Sequence, residues 1–394
     1  MVFGILSCSV YLKTTYRMRT NCYKRLGDYI REVEVRNRDL SVTTLLGVSI
    51  SKEFIPSIAN TIGTDMSTYK IVCKGQFAYG PVTSRNGDKV SIALLANEDN
   101  AIISQAYIVF EVKDTNELLP GYLMMWFRRP EFDRYTRFHS HGSAREIFDW
   151  SEMCDVILPI PSIERQREIV AEYETLSKRI RLNGQMISKL EETAQTLYRK
   201  MFVDGIDKEN LPEGWRMVSI FDIANVIYGY PFDSELFSND IRLTPIIRIR
   251  DILGCKTDTY TSEKVDEKYK ISDGDILIGM DGVFHMAIWN GGLAFQNQRI
   301  VRIIPHKEKF ISAYQIYFSI MQPIKDLETS IEGTTVAHLS DKDMKKISVI
   351  VAPENIQKEV CCELDVLKRN VITYKKENLK LTELQSLLLA RMGQ

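Results

Sequence analysis

The feature that most limits how this chain can fold is a stripe of residues repeated in two segments far apart. Ile169, Tyr173, Leu176, Ile180, Asn183, Ile187, Leu190, Ala194, Leu197 and Met201 recur at alternating steps of four and three. That is a heptad seam, and a helix that carries one must bury it against another helix. Val360, Leu364, Leu367, Val371, Tyr374, Asn378, Leu381, Gln385, Leu388 and Met392 keep the same steps, so the chain supplies its own partner. Each helix opens on a related start, PSIERQREIV at 161 and PENIQKEVCC at 353. Ser162 is placed to cap the first helix, Glu164 sits near its positive end, and Pro353 suits the first turn of the second. In an antiparallel pair whose facing positions sum to 561, as Ile169 with Met392, Asn183 falls opposite Asn378. A buried amide pair there fixes helix-pair register at a cost in stability; otherwise each asparagine faces solvent at a slip in the seam.

The likeness extends upstream of the helices. KRLGDYI at 24–30 pairs with VSIFDIA at 218–224, and GQFAYGP at 75–81 with GDILIGM at 274–280, a turn glycine followed by a short apolar strand. ISQAYIVFEV at 103–112 answers QNQRIVRII at 296–304 as another strand. From Gly142 and Gly333 onward the copies align without a gap at a constant offset of 191, through Ile169 and Val360. The expected architecture is α+β: two pseudo-repeated globular domains, 23–160 and 204–352, separated by two long helices, 161–203 and 353–394, forming an antiparallel coiled coil. Residues 1–22 read as an extension, with Met18 an alternative start. Their apolar run is too short to span a bilayer and nothing positive precedes it, so no membrane role is expected. A helix of roughly 40 residues is about 60 Å long, more than the roughly 34 Å turn of B-DNA. The pair therefore suits a spacer between two separated half-sites.

Composition narrows the chemistry. The 394 residues carry a net charge of −1, so any nucleic-acid contact must be local rather than a global basic footprint. The 7 cysteines show no C-x-x-C spacing, which fits mostly buried thiols in a reducing cytosol and argues against a zinc ribbon. No phosphate-binding or dinucleotide fingerprint is present, nor an N-P-P-[FY] or D-P-P-Y run for amino methylation. Asp99, Glu111 and Lys113 imitate a metal-dependent nuclease, but the second copy has Ile304 and His306 at the last two positions. His139 and His141 lack a cysteine or carboxylate at ligand spacing, and their counterparts are Ser330 and Glu332. Neither nuclease chemistry nor a metal site is expected of this chain.

The connector LEETAQTLYRKMFVDG, the following LPEGWRMVSIFDIA, the strand end ILPIPSIERQREIV, and the glycine with small hydroxyls in HGS and EGTT together carry a resemblance. In this order, and over about residues 23–394, the chain resembles the specificity subunit of type I restriction-modification enzymes. The first copy lacks an LPEGW-like preamble, which leaves its domain start open. The resemblance implies that each globular domain is a target-recognition domain reading one half of a bipartite double-stranded DNA site, with the helices as spacer. It implies two modification subunits on those helices, carrying S-adenosylmethionine and methylating adenine, and restriction subunits that use ATP. S-adenosylmethionine, ATP and Mg²⁺ then belong to the partners; this chain holds no cofactor and is not catalytic. Two alternatives stay open: a coiled-coil scaffold whose domains bind protein, and the recognition subunit of a methyltransferase without a restriction partner.

The stretch WFRRPEFDRYTRFHSHGSAREIF sets Arg128, Arg129, Arg134, Arg137 and Arg145 among aromatics. Arginine pairs bidentately with guanine or clamps phosphate, and equally forms ion pairs with Glu131, Asp133 and Glu146. The favoured contact within it is the loop from His139 to Arg145, with His139, His141, Ser143 and Arg145, because Gly142 and Ser143 let backbone approach phosphate. Its counterpart, Ser330 to His338, holds Gly333, Thr334, Thr335 and His338; the glycine and small hydroxyl persist while the flanks differ. A second candidate is the loop between paired strands, with Arg85 and Asn86 in one copy and Asp281, Phe284 and His285 in the other. Gln296, Asn297, Gln298 and Arg299 offer amides for adenine and an arginine for guanine, or form an edge strand with polar residues outward. Arg248 and Arg250 in IIRIRD alternate on one strand face, open to phosphate or to nearby acids.

Overall fold

The structure is a computed structural model and describes residues 23–57, 63–84, 86–142, 146–330 and 337–393. The chain divides into two compact units, one running up to Lys178 and resuming at Leu381, the other formed by Arg179–Lys380.

In the first unit, short apolar strands build an antiparallel sheet in the order Ile30–Val33, Ile108–Val112, Phe77–Tyr79, Ile92–Leu94. Phe77 faces Phe110 across the ladder, and their rings stack with centroids 4.8 Å apart. Offset stacking of this kind adds to the burial of two large apolar side chains. Helices Pro120–Phe127 and Pro130–Phe138 each begin on a proline, whose fixed φ and missing N–H suit the first turn. The first is apolar all round because it is buried all round, from Tyr122 to Phe127.

The second unit repeats this sheet strand for strand: Ala224–Tyr228, Ile300–Pro305, Ile276–Gly279, Met286–Ile288. Register makes the match residue by residue. Ile30 faces Val112 as Ala224 faces Pro305, and Phe77 faces Phe110 as Ile276 faces Ile303. The turn glycines read from the sequence stand at matched corners with left-handed backbone, Gly75 at φ 87° and Gly274 at φ 94°, where a side chain would be strained. A strand pair closes each domain, Tyr23–Arg25 with Ile157–Pro159 and Arg216–Ser219 with Ser348–Val351. The copies differ in the flanking sheet: five short strands in the second unit answer, in the first, the pair Lys70–Cys73 and Asn100–Ile103 and the hairpin Leu46–Val48 with Phe54–Pro56, joined by a parallel bridge between Leu45 and Ile102.

Two long helices follow the domains, a central helix Ile163–Phe202 and a C-terminal helix Glu354–Arg391. None of the seam residues named above is exposed. In the first unit the start of the central helix meets the end of the C-terminal one: Ile169, Val170 and Tyr173 share a core with Leu389 and Met392, and Gln385 Nε2 donates to Ser177 Oγ at 2.6 Å. In the second unit the roles exchange, with Ala194, Leu197 and Phe202 packed against Val360, Leu364 and Leu367. Arg179 pairs with Glu377 at 2.9 Å and Lys375 with Glu191 at 2.8 Å, so in each unit the helices run antiparallel. Asn183 is 3% exposed and its Nδ2 donates to Asn378 Oδ1 at 3.0 Å, while Asn378 Nδ2 reaches the Ile180 carbonyl at 3.3 Å.

Both helix starts carry a buried glutamine that locks helix to domain. Gln166 Nε2 donates to the carbonyls of Glu117 at 2.8 Å and Pro161 at 2.9 Å, and its Oε1 accepts the Leu119 N–H at 2.9 Å. Gln357 Nε2 donates to the Phe310 carbonyl at 3.1 Å and to Gln315 Oε1 at 2.5 Å, and its Oε1 accepts the Ala352 N–H at 3.2 Å. Glu117 and Phe310 are matched positions, each five residues beyond the facing pair of its sheet, Val112 or Pro305. Ser162 Oγ accepts the Arg165 N–H at 3.4 Å, and hydrogen bonds from its own backbone N–H and from Ser162 hold the Glu164 carboxyl below the usual range. Pro353 stands just outside its helix, where its carbonyl accepts the Gln357 N–H at 2.9 Å.

The expectation of mostly buried thiols is corrected. Among the described cysteines Cys255 is buried, Cys154 and Cys361 are half-buried, and Cys73 and Cys362 are exposed; all five are free. Cys73 ends an outer strand and Cys362 lies off the seam of its helix. Among the described residues no helix is long and apolar enough to cross a membrane.

Replacing Gln166 or Gln357 by leucine leaves part-buried backbone groups without their partner, and each change is expected to lower stability by about 1–3 kcal/mol. Urea denaturation checks this, with exposed Gln195→Leu as a control that leaves the midpoint in place. The double change Asn183→Leu with Asn378→Leu is expected to raise the thermal midpoint while loosening register. Spin labels at exposed Met186 and Leu379 would then give a broader distance distribution; one as narrow as the parent's removes the register role.

Candidate nucleic-acid interface

In each domain the strand that follows the turn glycine runs out of the sheet into one candidate loop, and the second candidate loop returns beside it. In the first domain Phe148 N–H donates to the Pro81 carbonyl at 2.9 Å and Thr83 N–H to the Glu146 carbonyl at 3.0 Å, around a bridge between Val82 and Ile147. In the second domain Leu339 N–H donates to Met280 O at 2.8 Å and Gly282 N–H to Ala337 O at 3.0 Å, around a bridge between Asp281 and His338. The two loops are thus stitched edge to edge by the same backbone ladder in both copies. A capped short helix then takes the chain away: Asp149 accepts the Glu152 N–H at 3.1 Å, and Ser340 Oγ accepts the matched Asp343 N–H at 3.3 Å. Hydrogen bonding from Ser340 and Lys346 lowers the Asp343 carboxyl to about 2, so it stays charged at that helix start.

The side chains on this shared frame differ. In the second domain Asp281 accepts from His338 Nδ1 at 2.7 Å and pairs with Arg299 Nε at 3.3 Å. Through the bridges and the sheet register, the matching residues of the first domain are Val82, Ile147 and Ala106. A polar trio in one copy is an apolar trio in the other. In the first domain the polar groups stand elsewhere on the loops. His139 Nδ1 bonds Glu152 at 2.8 Å and its ring stacks on Tyr135 with centroids 4.2 Å apart. His141 lies 3.8 Å from the same carboxylate and is largely exposed, and Gly142 follows at φ 133°. Arg137 is paired with Glu146 at 2.6 Å. Asn86 closes its own turn, its N–H donating to Thr83 O at 2.9 Å and its Nδ2 to Val82 O at 3.4 Å.

Arg85, Ser143, Arg145, Thr334 and Thr335 lie outside the described residues. His285 is used by the hairpin, its N–H donating to Val283 O and its carbonyl accepting the Gly279 N–H, both at 2.8 Å. Asn297 donates its N–H to Ile247 O at 3.1 Å, which sets the exposed Gln298 and Arg299 turn beside the residues leading to Arg248.

Several sequence expectations need correction. Arg248 and Arg250 do not share a strand face: the strand ends at Ile247 and the chain tightens into a 3₁₀ turn, Ile249–Asp251. The Asp251 carboxylate accepts the Arg248 N–H at 3.0 Å, and Asp258 takes both guanidiniums, at 3.3 and 3.1 Å. Gln296 is fully buried and donates to Ile227 O at 2.9 Å, so it presents no amide to a ligand. The arginine-rich helix spends its charge locally: Arg129 is buried over the Trp126 ring, 4.2 Å from its centroid, and Arg134 pairs with Glu131. His139 and His141 do meet a carboxylate, Glu152, brought in by the loop's return. Glu111 braces Arg31 at 2.6 Å and Gln76 at 2.9 Å, and Lys113 donates to the carbonyls of Gly27 and Asp28. Among the described residues no group of three or more His, Cys, Asp or Glu side chains can hold a metal.

A duplicated α+β domain that ends on a long helix, with paired loops on a shared frame and different side chains on each, defines a tandem-domain protein whose copies differ in their loops. The chain belongs to the family described as the type I restriction modification DNA specificity domain, which matches residues 52–192 and again 212–383. It is 30% identical over 166 residues to the type I restriction enzyme EcoBI specificity subunit of Escherichia coli, an alignment spanning 42% of this chain and 35% of that protein. It is 23% identical to the HindI specificity subunit of Haemophilus influenzae over 82% of this chain and 86% of that one. Its fold is like that of the solved type I restriction-modification S subunit from M. genitalium, with a TM-score of 0.62, 16% identity, and coverage of 94% and 96% of the two chains.

Proposed function

We propose that this chain is the non-catalytic DNA-reading subunit of a type I restriction-modification complex. Each domain reads one half of a bipartite, asymmetric site in double-stranded DNA through its stitched loop pair. The observation that carries this reading is the repeated backbone ladder that holds chemically different loops in two domains of one specificity family. A frame kept twice while its exposed side chains change is what two different half-sites require. The helices serve as spacer and as the seat of two modification subunits, which bring S-adenosylmethionine for adenine methylation. Restriction subunits bring ATP-driven cleavage with Mg²⁺. The near-zero net charge fits a subunit that depends on a few local contacts and on its partners for the rest of its hold on phosphate.

Methylome sequencing of cells with and without the gene tests this directly. The expected result is loss of one bipartite methyladenine motif, and an unchanged methylome refutes the proposal. Binding that does not weaken as salt rises would instead favour a protein-binding scaffold, because contacts to several phosphates release counterions. Deleting one heptad from both helices removes about 10 Å, or roughly three base pairs at about 3.4 Å each. The non-specific gap in the motif should shorten while both half-sites stay the same; altered half-sites with the old gap would remove the spacer role.

A further inference from the structure

Arg128 and Arg129 lie over the Tyr173 and Trp126 rings and Arg134 is paired with Glu131; the other described arginines that the sequence marks for DNA contact hold their guanidiniums in two ways. Arg137 spends Nη1 on Glu146. Arg248 spends Nη2 on Asp258 and Thr259, and Arg250 spends Nη2 on Asp258. In all three the outer edge, the one able to make two parallel hydrogen bonds, is already occupied. Arg299 is the exception. Its ion pair with Asp281 is made through Nε, at 3.3 Å, and among the described residues no hydrogen bond is made by Nη1 or Nη2. The side chain is 54% exposed while Asp281 is 29% exposed, so the guanidinium is the more accessible of the two. Asp281 is itself fixed, by the backbone bridge to His338 and by the His338 Nδ1 hydrogen bond at 2.7 Å.

We infer that Arg299 is the guanine-reading residue of the second domain and that Asp281 is its positioning residue. A guanidinium paired on its Nε side is biased toward one orientation before it meets a ligand, and its free Nη1–Nη2 edge matches the O6 and N7 acceptors of guanine in the major groove. A phosphate would also accept from arginine, but it would need no tether on the Nε side. At the matched positions the first domain holds Val82, Ile147 and Ala106, which offer no such donor pair and instead suit apolar contact, as with a thymine methyl. The second half-site should therefore contain one G·C pair read in this way, and the first domain should have no equivalent contact at the corresponding place.

This inference rests on the DNA-reading function proposed above, and the test separates the two. The full chain, assembled with its modification subunits, is offered duplexes carrying the methylated motif with each base pair of both half-sites varied in turn. The parent should favour guanine at one position of one half-site by about ten- to a hundredfold over other bases. Arg299→Ala and Arg299→Lys should both abolish that preference and leave every other position unchanged. Lysine keeps the charge but cannot make the paired contact. Asp281→Asn should weaken the same preference alone. Equal loss of affinity for all duplexes with the preference intact would make Arg299 a phosphate contact and overturn the inference, as would no change. Both of those outcomes leave the proposed function standing. A parent complex without any sequence preference would overturn both.

Discussion

A single buried amide at each junction of domain and helix holds the rest of the structure in place. A long seam helix specifies its partner but not the angle at which it leaves a globular domain, and a helix start offers only unsatisfied N–H groups to fix that angle. Gln166 and Gln357 supply what is missing, each with its amide donating to a backbone carbonyl of the domain and accepting a backbone N–H. Because both glutamines are buried, a wrong exit angle would leave those groups unpaired, at a cost of about 1–3 kcal/mol for each stranded group. The hydrophobic seam gives the affinity between helices, and the amides give direction.

The seams were legible in the sequence because a heptad period survives any substitution that keeps an apolar side chain. The sheets were legible for a related reason: the copies keep their spacing within each strand, so KRLGDYI and VSIFDIA, or GQFAYGP and GDILIGM, could be laid side by side before their register was known. A strand period does not outlast its element. Arg248 and Arg250 keep the alternation of the preceding strand, yet Asp251 captures the Arg248 N–H and tightens the chain. Gln296 looked like the first of several exposed amides, but its strand position turns it inward to Ile227.

Other features were not legible because they join residues through the fold. Nothing local ties Pro81 to Phe148 or Met280 to Leu339, and the two loops of each domain therefore read as separate candidates. The partnership of His139 with Glu152 likewise needs the loop to return. The paired glutamines were visible at the same place in both helix starts, but one polar residue among many carries no sign of burial. Their signal was identity across an otherwise divergent repeat.

The stitched frame also explains how two copies can differ so much in surface chemistry without differing in fold. The ladder between the loops is made of backbone groups in both copies, with the buried Thr83 hydroxyl reinforcing it in the first by donating to the Glu146 carbonyl at 3.3 Å. The caps that follow need an oxygen acceptor, which Asp149 and Ser340 both provide. Exposed side chains that take no part in the ladder or the caps can then vary without disturbing either. Val82 and Asp281 can exchange apolar for charged character because each presents its side chain from a bridge formed by main chain alone. A charged residue arriving there is costly only if it is buried without a partner, and in the second copy Asp281 came with His338 on one side and Arg299 on the other. Change at these positions is therefore coupled: the aspartate, the histidine and the arginine stabilise one another's placement, and the apolar trio of the first copy is the other self-consistent solution on the same frame.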